Sequence, residues 1–354
     1  MKPYLILYRT GPGSLHPHTI ERLHEQNFDY ALSWFGDTPP DAPGAVFVHM
    51  QKGPKYPGLE RTLNTHWRTI SQYRYVWMPD DDLLCVPEQV SRMFATCDEL
   101  QLELAQPALT PDSYFAHPIT LRHADFQLRF TNFVEIMAPV LSIDLLTRVI
   151  PTLAGNISGY GLDSVWPRMS RLGKVAILDD VPVKHTRPLG GPNYKFNQQA
   201  GLSAPQEDWI TCASHFIDVT SDFHINFGGL LQSGEAIAIG ESEDEMEVML
   251  QALLASCSQL PFTAMQVTRY LAQHYQYWGG GKQSRLRYPR ALLGSLLERA
   301  VKPTGMRFNK PAAKVAAPAP SPMPAPAPAP APAPAMPPVH TMAAPMPSFG
   351  LHAR

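Results

Sequence analysis

The chain has 354 residues, 44% hydrophobic residues and a formal net charge of −2. This composition predicts a globular protein of one large domain or two ordinary ones. It argues against a general nucleic-acid-binding protein, which would present a basic face.

The chain carries no signal that we associate with secretion or membrane insertion. No apolar stretch approaches the roughly 18 residues of a membrane helix. The short apolar segment near Met1 predicts a first strand rather than a signal peptide. The scattered cysteines have no spacing typical of a zinc or redox motif and fit a reducing compartment; they are Cys85, Cys97, Cys212 and Cys257. We therefore expect a cytoplasmic protein without a membrane span.

Segments of strand and helix character alternate through residues 1–205. Predicted strands lie at Tyr4–Tyr8, Phe28–Phe35, Ala45–His49, Tyr73–Met78 and Leu104–Leu109. Predicted helices lie at His18–Gln26, Leu59–Gln72 and Pro87–Leu104. This rhythm predicts an α/β domain with a mostly parallel sheet flanked by helices. Because ligands of such sheets bind beyond the carboxyl ends of the strands, we expect the functional site there.

Residues 206–305 predict a smaller, mainly helical appendage. We expect a hairpin from Phe223–Phe227 and Ala236–Ile239, and helices at Glu243–Ser258, Ala264–Tyr277 and Tyr288–Val301. From Pro311 onward the chain becomes an alternating Ala-Pro repeat, which cannot bury a core. Residues 306–354 therefore predict a disordered, extended tail of polyproline character.

Three adjacent carboxylates follow an apolar, aromatic strand. The run 75–79 leads directly into Asp80, Asp81 and Asp82. Because burying this charge without a partner is very unfavourable, the cluster must lie at a solvated strand end or hold a cation. Asp80 and Asp82 are one residue apart, so both can reach a hard divalent ion that carries substrate phosphates. An acidic turn exposed to water is the other interpretation.

Three further segments each place one candidate site residue in a suggestive position. Glu135 lies inside the apolar run 132–142, Asp163 follows a glycine-rich turn at a predicted helix start, and His185 ends the predicted strand 176–185. Taken singly, Glu135 could belong to an edge strand, Asp163 could be a helix cap, and His185 could be an ordinary polar residue. The order of these residues along the chain is more informative than any one of them.

That order resembles glycosyltransferases of the GT-A fold. In those enzymes an Asp-x-Asp strand end, a later acidic helix start and a late histidine surround a metal-bound nucleotide sugar. A more specific resemblance is to the uncharacterised family DUF707, which itself resembles a GT-A branch. The acid cluster of that family tends to be Asp-Glu-Asp-Leu, whereas this chain has an Asp in the second position. The resembling segments are Trp77–Leu83, Gln106–Leu109, Phe133–Ser142, Gly159–Asp163 and Asp179–His185.

The resemblance implies a GT-A-like, metal-dependent glycosyltransferase. It would move a sugar from a nucleotide-sugar donor to a glycan or another hydroxyl acceptor, with inversion. Asp82, Asp80 and His185 would hold Mn²⁺ or Mg²⁺, and mixed oxygen and imidazole ligation suits manganese better than calcium. Asp163 would be the base and Glu135 would hold acceptor hydroxyls, or the two would exchange roles.

The remaining cofactor contacts would come from the start of the chain and from the acid cluster. Arg9 and Thr10 end the first predicted strand and would lie near the nucleotide. Lys52 and Lys55 would screen the donor phosphates, and Asp81 completes the cofactor-binding set.

Two other functions stay open at this point. A carboxylate pair with a metal ion also serves a nucleotidyl or phosphate-ester enzyme, and release of sugar from a nucleotide sugar would separate the two chemistries. The chain could also be a non-catalytic GT-A-like binding protein with the Ala-Pro tail as its tether, because a fold does not fix a function.

Overall fold

The computed structural model describes residues 1–189, 199, 201, 203–215, 224–239 and 243–280, all within the compact unit Met1–Pro303. The strands of this part are β1 (Tyr4–Thr10), β2 (Phe28–Trp34), β3 (Val48–Met50), β4 (Tyr75–Trp77), β5 (Leu83–Leu84), β6 (Leu104–Leu109), β7 (Phe126–Thr131), β8 (Val140–Ser142), β9 (Val175–His185), β10 (Asn226–Leu231) and β11 (Ala236–Ile237). Its helices are α1 (His16–Thr19), α2 (Lys55–Ile70), α3 (Pro87–Glu99), α4 (Ile143–Val149), α5 (Leu162–Arg168), α6 (Ala204–Ser214), α7 (Glu243–Cys257) and α8 (Ala264–Gly280).

The described strands join into one mixed sheet. Its order is β11-β10-β7-β9-β6-β8-β4-β1-β2-β3, and β5 pairs with β9 beside this path. The pairs β1–β2, β1–β4, β2–β3 and β6–β9 are parallel. The other pairs are antiparallel. The prediction of a mostly parallel sheet is therefore right only for the β3-β2-β1-β4 half and for the β6–β9 pair.

The lack of an α-helix between some successive strands explains why the sheet is mixed rather than mostly parallel. A parallel pair needs a long crossover, usually a helix, between its strands. Helix α3 lies between β4 and β6 in the chain, and these two strands run in the same direction. In contrast, β7 and β8 each follow the preceding strand without an intervening α-helix, and both run against their neighbours.

Apolar side chains cover both faces of the sheet. Strand β1 is buried along its whole length. Its Ile6 packs on one face in a cluster that includes Phe94 of α3, and its Leu7 packs on the other face with Leu63 of α2. A strand buried on both faces has a continuous apolar sequence, as the Tyr4–Tyr8 part of β1 does. The predicted α/β class, a large sheet flanked by helices, is confirmed.

Two helix boundaries differ from the prediction for local reasons. Helix α2 begins at Lys55 rather than Leu59, with Pro57 in its first turn. Proline is tolerated there because the N–H groups of a first turn have no partner within the helix. Helix α3 ends at Glu99 rather than Leu104, since Gln101 adopts a φ of 50° that a helix cannot continue through.

The described part of the predicted appendage shares the main sheet. Strand β10 pairs with β7, and β11 pairs with β10, close to the predicted hairpin. The helix expected at Tyr288–Val301 and the tail 306–354 lie outside the described residues, and the division at residue 205 stays a prediction. None of the described helices combines the length and the apolar character needed to cross a membrane.

Candidate active site

A strand pairing brings the acid cluster to His185. Strand β4 ends at Trp77, and the short strand β5 follows the cluster directly. In the antiparallel β5–β9 pair, Leu83 lies opposite His185. Thr186 donates through its N–H to the carbonyl oxygen of Asp82 at 3.1 Å, which extends this pairing by one step. Asp82 and His185 therefore meet although they are far apart in the chain.

The side chains of His185 and Asp82 are in direct contact. His185 Nε2 lies 3.3 Å from Asp82 Oδ2, and the two side chains are only 7% and 13% exposed. His185 Nδ1 lies 2.7 Å from the carbonyl oxygen of Tyr114, so Nδ1 carries the hydrogen. Burial lowers the pKa of His185, but the hydrogen bond to Asp82 and the Tyr114 carbonyl outweigh it and raise the pKa. The other oxygen, Asp82 Oδ1, is buried without a hydrogen-bond partner.

Asp80 forms an ion pair with Lys55. Lys55 Nζ lies 2.5 Å from Asp80 Oδ1 and also donates to the carbonyl oxygen of Ile136 at 2.8 Å. Lys55 is the first residue of α2, and its side chain is 8% exposed. Burial raises the pKa of Asp80, and the positive charge of Lys55 offsets only part of this rise. Lys55 therefore neutralises the charge of Asp80 within the cluster.

Asp81 holds the loop that follows β1. Its Oδ1 lies 3.0 Å from Arg187 Nη1, and Arg187 Nη2 donates to the carbonyl oxygen of Gly13 at 2.7 Å. The backbone carbonyl of Asp81 accepts the N–H of Leu15 at 2.8 Å. Burial raises the pKa of Asp81 to about 6, although Arg187 lowers it. The contacts of Asp81 thus differ from those of Asp80 and Asp82, and they join two loops at the edge of the site.

Glu135 is a buried carboxyl group of the cluster with a strongly raised pKa. It is 8% exposed, and its Oε2 has no hydrogen-bond partner. Burial raises the pKa of Glu135 to about 8, and the charges of Asp163 and Asp80 add to the rise, while those of His185 and Lys55 oppose it. Its backbone N–H donates to Gln106 Oε1 at 2.6 Å, which fixes the segment.

Two glycines place Asp163 beside this segment. Gly159 and Gly161 have φ angles of 100° and 88°, values that favour glycine. A Cβ on Gly159 would come within 2.3 Å of side-chain atoms of both Ile136 and Tyr56, so only glycine permits this approach. Asp163 follows in the first turn of α5, where its Oδ1 accepts the N–H of Ser164 at 3.0 Å.

Tyr56 is a site residue that the sequence interpretation missed. Its hydroxyl donates to the carbonyl oxygen of Ile136 at 2.8 Å. Burial raises the pKa of Tyr56 well above its ordinary value, and the charges of three carboxylates contribute to this rise, those of Asp80, Asp163 and Glu135. Its position next to Lys55 was the available signal, because both residues belong to the first turn of α2.

Two of three further residues predicted to lie near the nucleotide or its phosphates form contacts with the protein itself. The buried guanidinium of Arg9 donates to the carbonyl oxygens of Gln51 and Gly53, both at 2.6 Å. Thr10 is fully buried, and its hydroxyl has no partner. Lys52 is exposed and pairs with the exposed Asp37 at 2.5 Å. A role of these residues in nucleotide binding stays a prediction.

The donor groups of the site suit an ion that is shared with a substrate. Within the part of the chain that the structure describes, no group of three or more His, Cys, Asp or Glu residues could hold a metal ion. Asp82 Oδ1 is nevertheless buried and unpaired, and His185 Nε2 lies beside the same carboxylate and could bind a metal ion after losing its proton. Mg²⁺ in phosphate-transfer sites often takes only one or two carboxylates, and substrate phosphates and water supply the rest. The residues therefore fit a substrate-bound divalent ion rather than a closed structural site.

The raised pKa of Glu135 gives an expected pH dependence of stability. A carboxyl group with a folded-state pKa of about 8 keeps its proton when the unfolded chain, with a value near 4.5, has lost it. The contribution of Glu135 to stability is fully present below pH 4.5. The free energy of unfolding then falls by at most about 1.4 kcal/mol per pH unit until the contribution is lost at about pH 8. We expect Glu135→Gln to remove this part of the slope in urea unfolding without added divalent ions. Equal slopes for the two proteins would contradict the assignment.

Comparisons with known proteins show only distant likeness. No family model matches the chain and no curated protein does, so the resemblance to DUF707 is not confirmed. Among solved structures the chain is similar to S. aureus TarS 1-349, with 11% identity, a TM-score of 0.38 and coverage of 80% of this chain and 93% of that one. The complex of the same protein with UDP-GlcNAc gives 12% identity, a TM-score of 0.37 and the same coverage. A197 from STIV gives 10% identity, a TM-score of 0.34 and coverage of 53% and 86%.

Proposed function

We propose that the cluster around Asp82 is the active site of a metal-dependent glycosyltransferase. The enzyme moves a sugar from a nucleotide-sugar donor to a hydroxyl acceptor, with inversion at the transferred carbon. The observation that carries the proposal is the meeting of Asp82 and His185 at 3.3 Å, with Asp82 Oδ1 left buried and unpaired. An unpaired buried carboxylate oxygen is costly, which supports the binding of a further cation at Asp82 Oδ1.

The chain offers separate groups for the donor and the acceptor. Asp82 and His185, with Asp80 beside them, would hold the divalent ion. When bound, that ion supplies Lewis-acid stabilisation of the charge that develops on the diphosphate leaving group. Lys55 adds a fixed positive charge at the Asp80 side of the same site. Lys55 also donates to the carbonyl oxygen of Ile136, which helps to hold its ammonium at this position.

Asp163 and Glu135 have unequal environments, which supports a division of roles. Glu135 is buried and its pKa is raised to about 8, so its carboxyl group is largely protonated at neutral pH and can donate a hydrogen bond. Asp163 is less buried and lies at the start of α5. In the proposed reaction Asp163 accepts the proton of the acceptor hydroxyl. The oxygen then attacks the sugar carbon as the bond to the diphosphate breaks on the opposite side.

Donor binding is expected to require Mn²⁺ and Asp82 together. A nucleotide sugar at 100 times its dissociation constant should stabilise the wild-type protein by about 2.7 kcal/mol. We expect a thermal-shift screen of nucleoside diphosphates and nucleotide sugars to show this rise only with Mn²⁺ or Mg²⁺. Asp82→Asn should abolish the metal-dependent part, because the amide neither carries charge nor binds a divalent ion strongly.

The control is Asp112→Asn, which alters an exposed carboxylate that pairs with Lys184. This variant should keep the full shift. A wild-type protein that shows no stabilisation by any donor or ion contradicts the proposal. Stabilisation by nucleotides together with cleavage of phosphate esters, but without release of sugar, would instead favour the nucleotidyl or phosphate-ester enzyme.

A further inference from the structure

Helix α6 is fastened to the loop that precedes Asp163. Glu207, in the first turn of α6, is 3% exposed and directs both carboxylate oxygens at this loop. Its Oε1 accepts the N–H of Ile157 at 2.5 Å, and its Oε2 accepts the hydroxyl of Ser158. The N–H of Ser158 lies 3.2 Å from Oε1 and 3.3 Å from Oε2. One buried carboxylate thus holds two consecutive residues of the loop.

A second contact lies one helical turn further along α6. Asn156 Nδ2 donates to Thr211 Oγ1 and to the carbonyl oxygen of Tyr160, both at 3.0 Å. Asn156 Oδ1 accepts the N–H of Gly159 at 2.6 Å. A Cβ on Gly161 would lie 2.7 Å from the Thr211 side chain, so the loop and α6 are packed too closely there for any residue but glycine.

Backbone hydrogen bonds connect this loop to the first turn of α5. The carbonyl oxygen of Gly159 accepts the N–H of Leu162 at 3.0 Å, and that of Gly161 accepts the N–H groups of Ser164 and Val165 at 3.2 and 3.0 Å. Asp163 lies between these bonded residues. On its other side the loop packs against Ile136, next to Glu135. Movement of the loop away from α6 would therefore move Asp163 relative to Glu135.

We propose that Glu207 is a positioning residue that fixes Asp163 in the site by clamping the loop 156–161 to α6. This inference rests on the proposed function, since it concerns the residue assigned there as the base. Displacement of a reacting group by about 1 Å can reduce the rate about a hundredfold. A clamp on the loop therefore acts on turnover and leaves the binding of the donor unchanged.

The first test measures amide hydrogen exchange and needs no activity. Glu207→Ala should speed exchange at least tenfold in peptides covering 157–158 and also in those covering 162–165. Glu207→Gln should stay close to wild type, because its amide oxygen still accepts the N–H groups of Ile157 and Ser158. The control is Trp209→Ala, which changes a 62% exposed side chain on the same helix and should alter neither peptide. Faster exchange confined to 157–158 would overturn the inference.

The second test compares turnover with donor binding. We expect Glu207→Ala to lower kcat ten- to a hundredfold while the dissociation constant for the donor with Mn²⁺ is unchanged, and Glu207→Gln to recover most of the rate. Full turnover despite faster exchange at 162–165 would overturn the inference. If the wild type transfers no sugar, the proposed function fails, and the exchange result still decides whether Glu207 fixes Asp163. If Glu207→Ala exposes all of α6 to exchange, Ser158→Ala replaces it, since it removes the hydroxyl that donates to Glu207 Oε2. Unchanged exchange at 162–165 in that variant would overturn the inference.

Discussion

Asp163→Asn is expected to lose two to four orders of magnitude in turnover while it binds donor and Mn²⁺ normally. General-base assistance typically contributes a factor of this size. The amide keeps the shape of the side chain and its oxygen still accepts the N–H of Ser164, so the start of α5 should be unchanged. It cannot accept a proton at neutral pH. Single-turnover transfer, measured beside the dissociation constant of the donor, separates the two effects.

A matched control is available in another short helix. Asp144 also lies in a first turn, that of α4, and it is exposed. Asp144→Asn should therefore report the effect of the same chemical change at a helix start without touching the cluster. If Asp163→Asn keeps full transfer activity, Asp163 is structural, and Glu135 becomes the candidate base.

The parts of the fold that follow from local pattern were predictable. Strand β6, Leu104–Leu109, has its predicted bounds because a run of six residues, apolar except for Gln106, lies between a helix and a turn. The first strand and α2 were placed correctly apart from their ends. Strand direction in the β7–β8 region was not predictable from the same pattern, because periodicity reports which residues face the core and not which neighbour a strand pairs with.

The candidate site shows the same division. Asp80, Asp82, Glu135, Asp163 and His185 were named from the order of the segments that carry them, and the structure brings their side chains into one site. The pairing that unites Asp82 with His185 depends on β5, a strand of only two residues that no periodicity can signal. The ion pair of Lys55 with Asp80 was equally hidden, since it depends on where α2 begins.

Asp179 illustrates what a local pattern cannot show. Its carboxylate lies inside strand β9 and is fully buried. Aspartate is almost never fully buried unless it is paired, so the sequence alone argues against this position. The partner is Arg129 on the neighbouring strand β7, also fully buried. The sequence around either residue does not identify the other as its partner, because the two residues meet only through the β7–β9 pairing.

Arg129→Met is expected to destabilise the protein by roughly 3–5 kcal/mol, the usual cost of breaking a buried ion pair. Arg129 Nε lies 2.9 Å from Asp179 Oδ2, and Nη2 lies 3.0 Å from Oδ1, a bidentate pair. Arg129 also donates to the backbone carbonyls of Ile119 and Leu121 at 3.0 and 2.8 Å. The variant fills most of the volume but leaves the Asp179 carboxylate without its counter-charge, and it leaves both carbonyls without this donor.

The pH dependence distinguishes a lost charge partner from lost packing. Burial already raises the pKa of Asp179 to about 6, although Arg129 lowers it. Without Arg129 the folded-state pKa rises further, so the folded variant holds a proton that the unfolded chain releases near its ordinary value of 3.8. Its stability therefore falls as pH rises above about 4, and the deficit relative to wild type should be larger at pH 8 than at pH 5. Urea unfolding at both pH values measures this difference.

The double variant Arg129→Met with Asp179→Leu should recover most of the lost stability and show no such pH dependence. A deficit that is equal at pH 5 and pH 8 and persists in the double variant would assign the whole effect to packing.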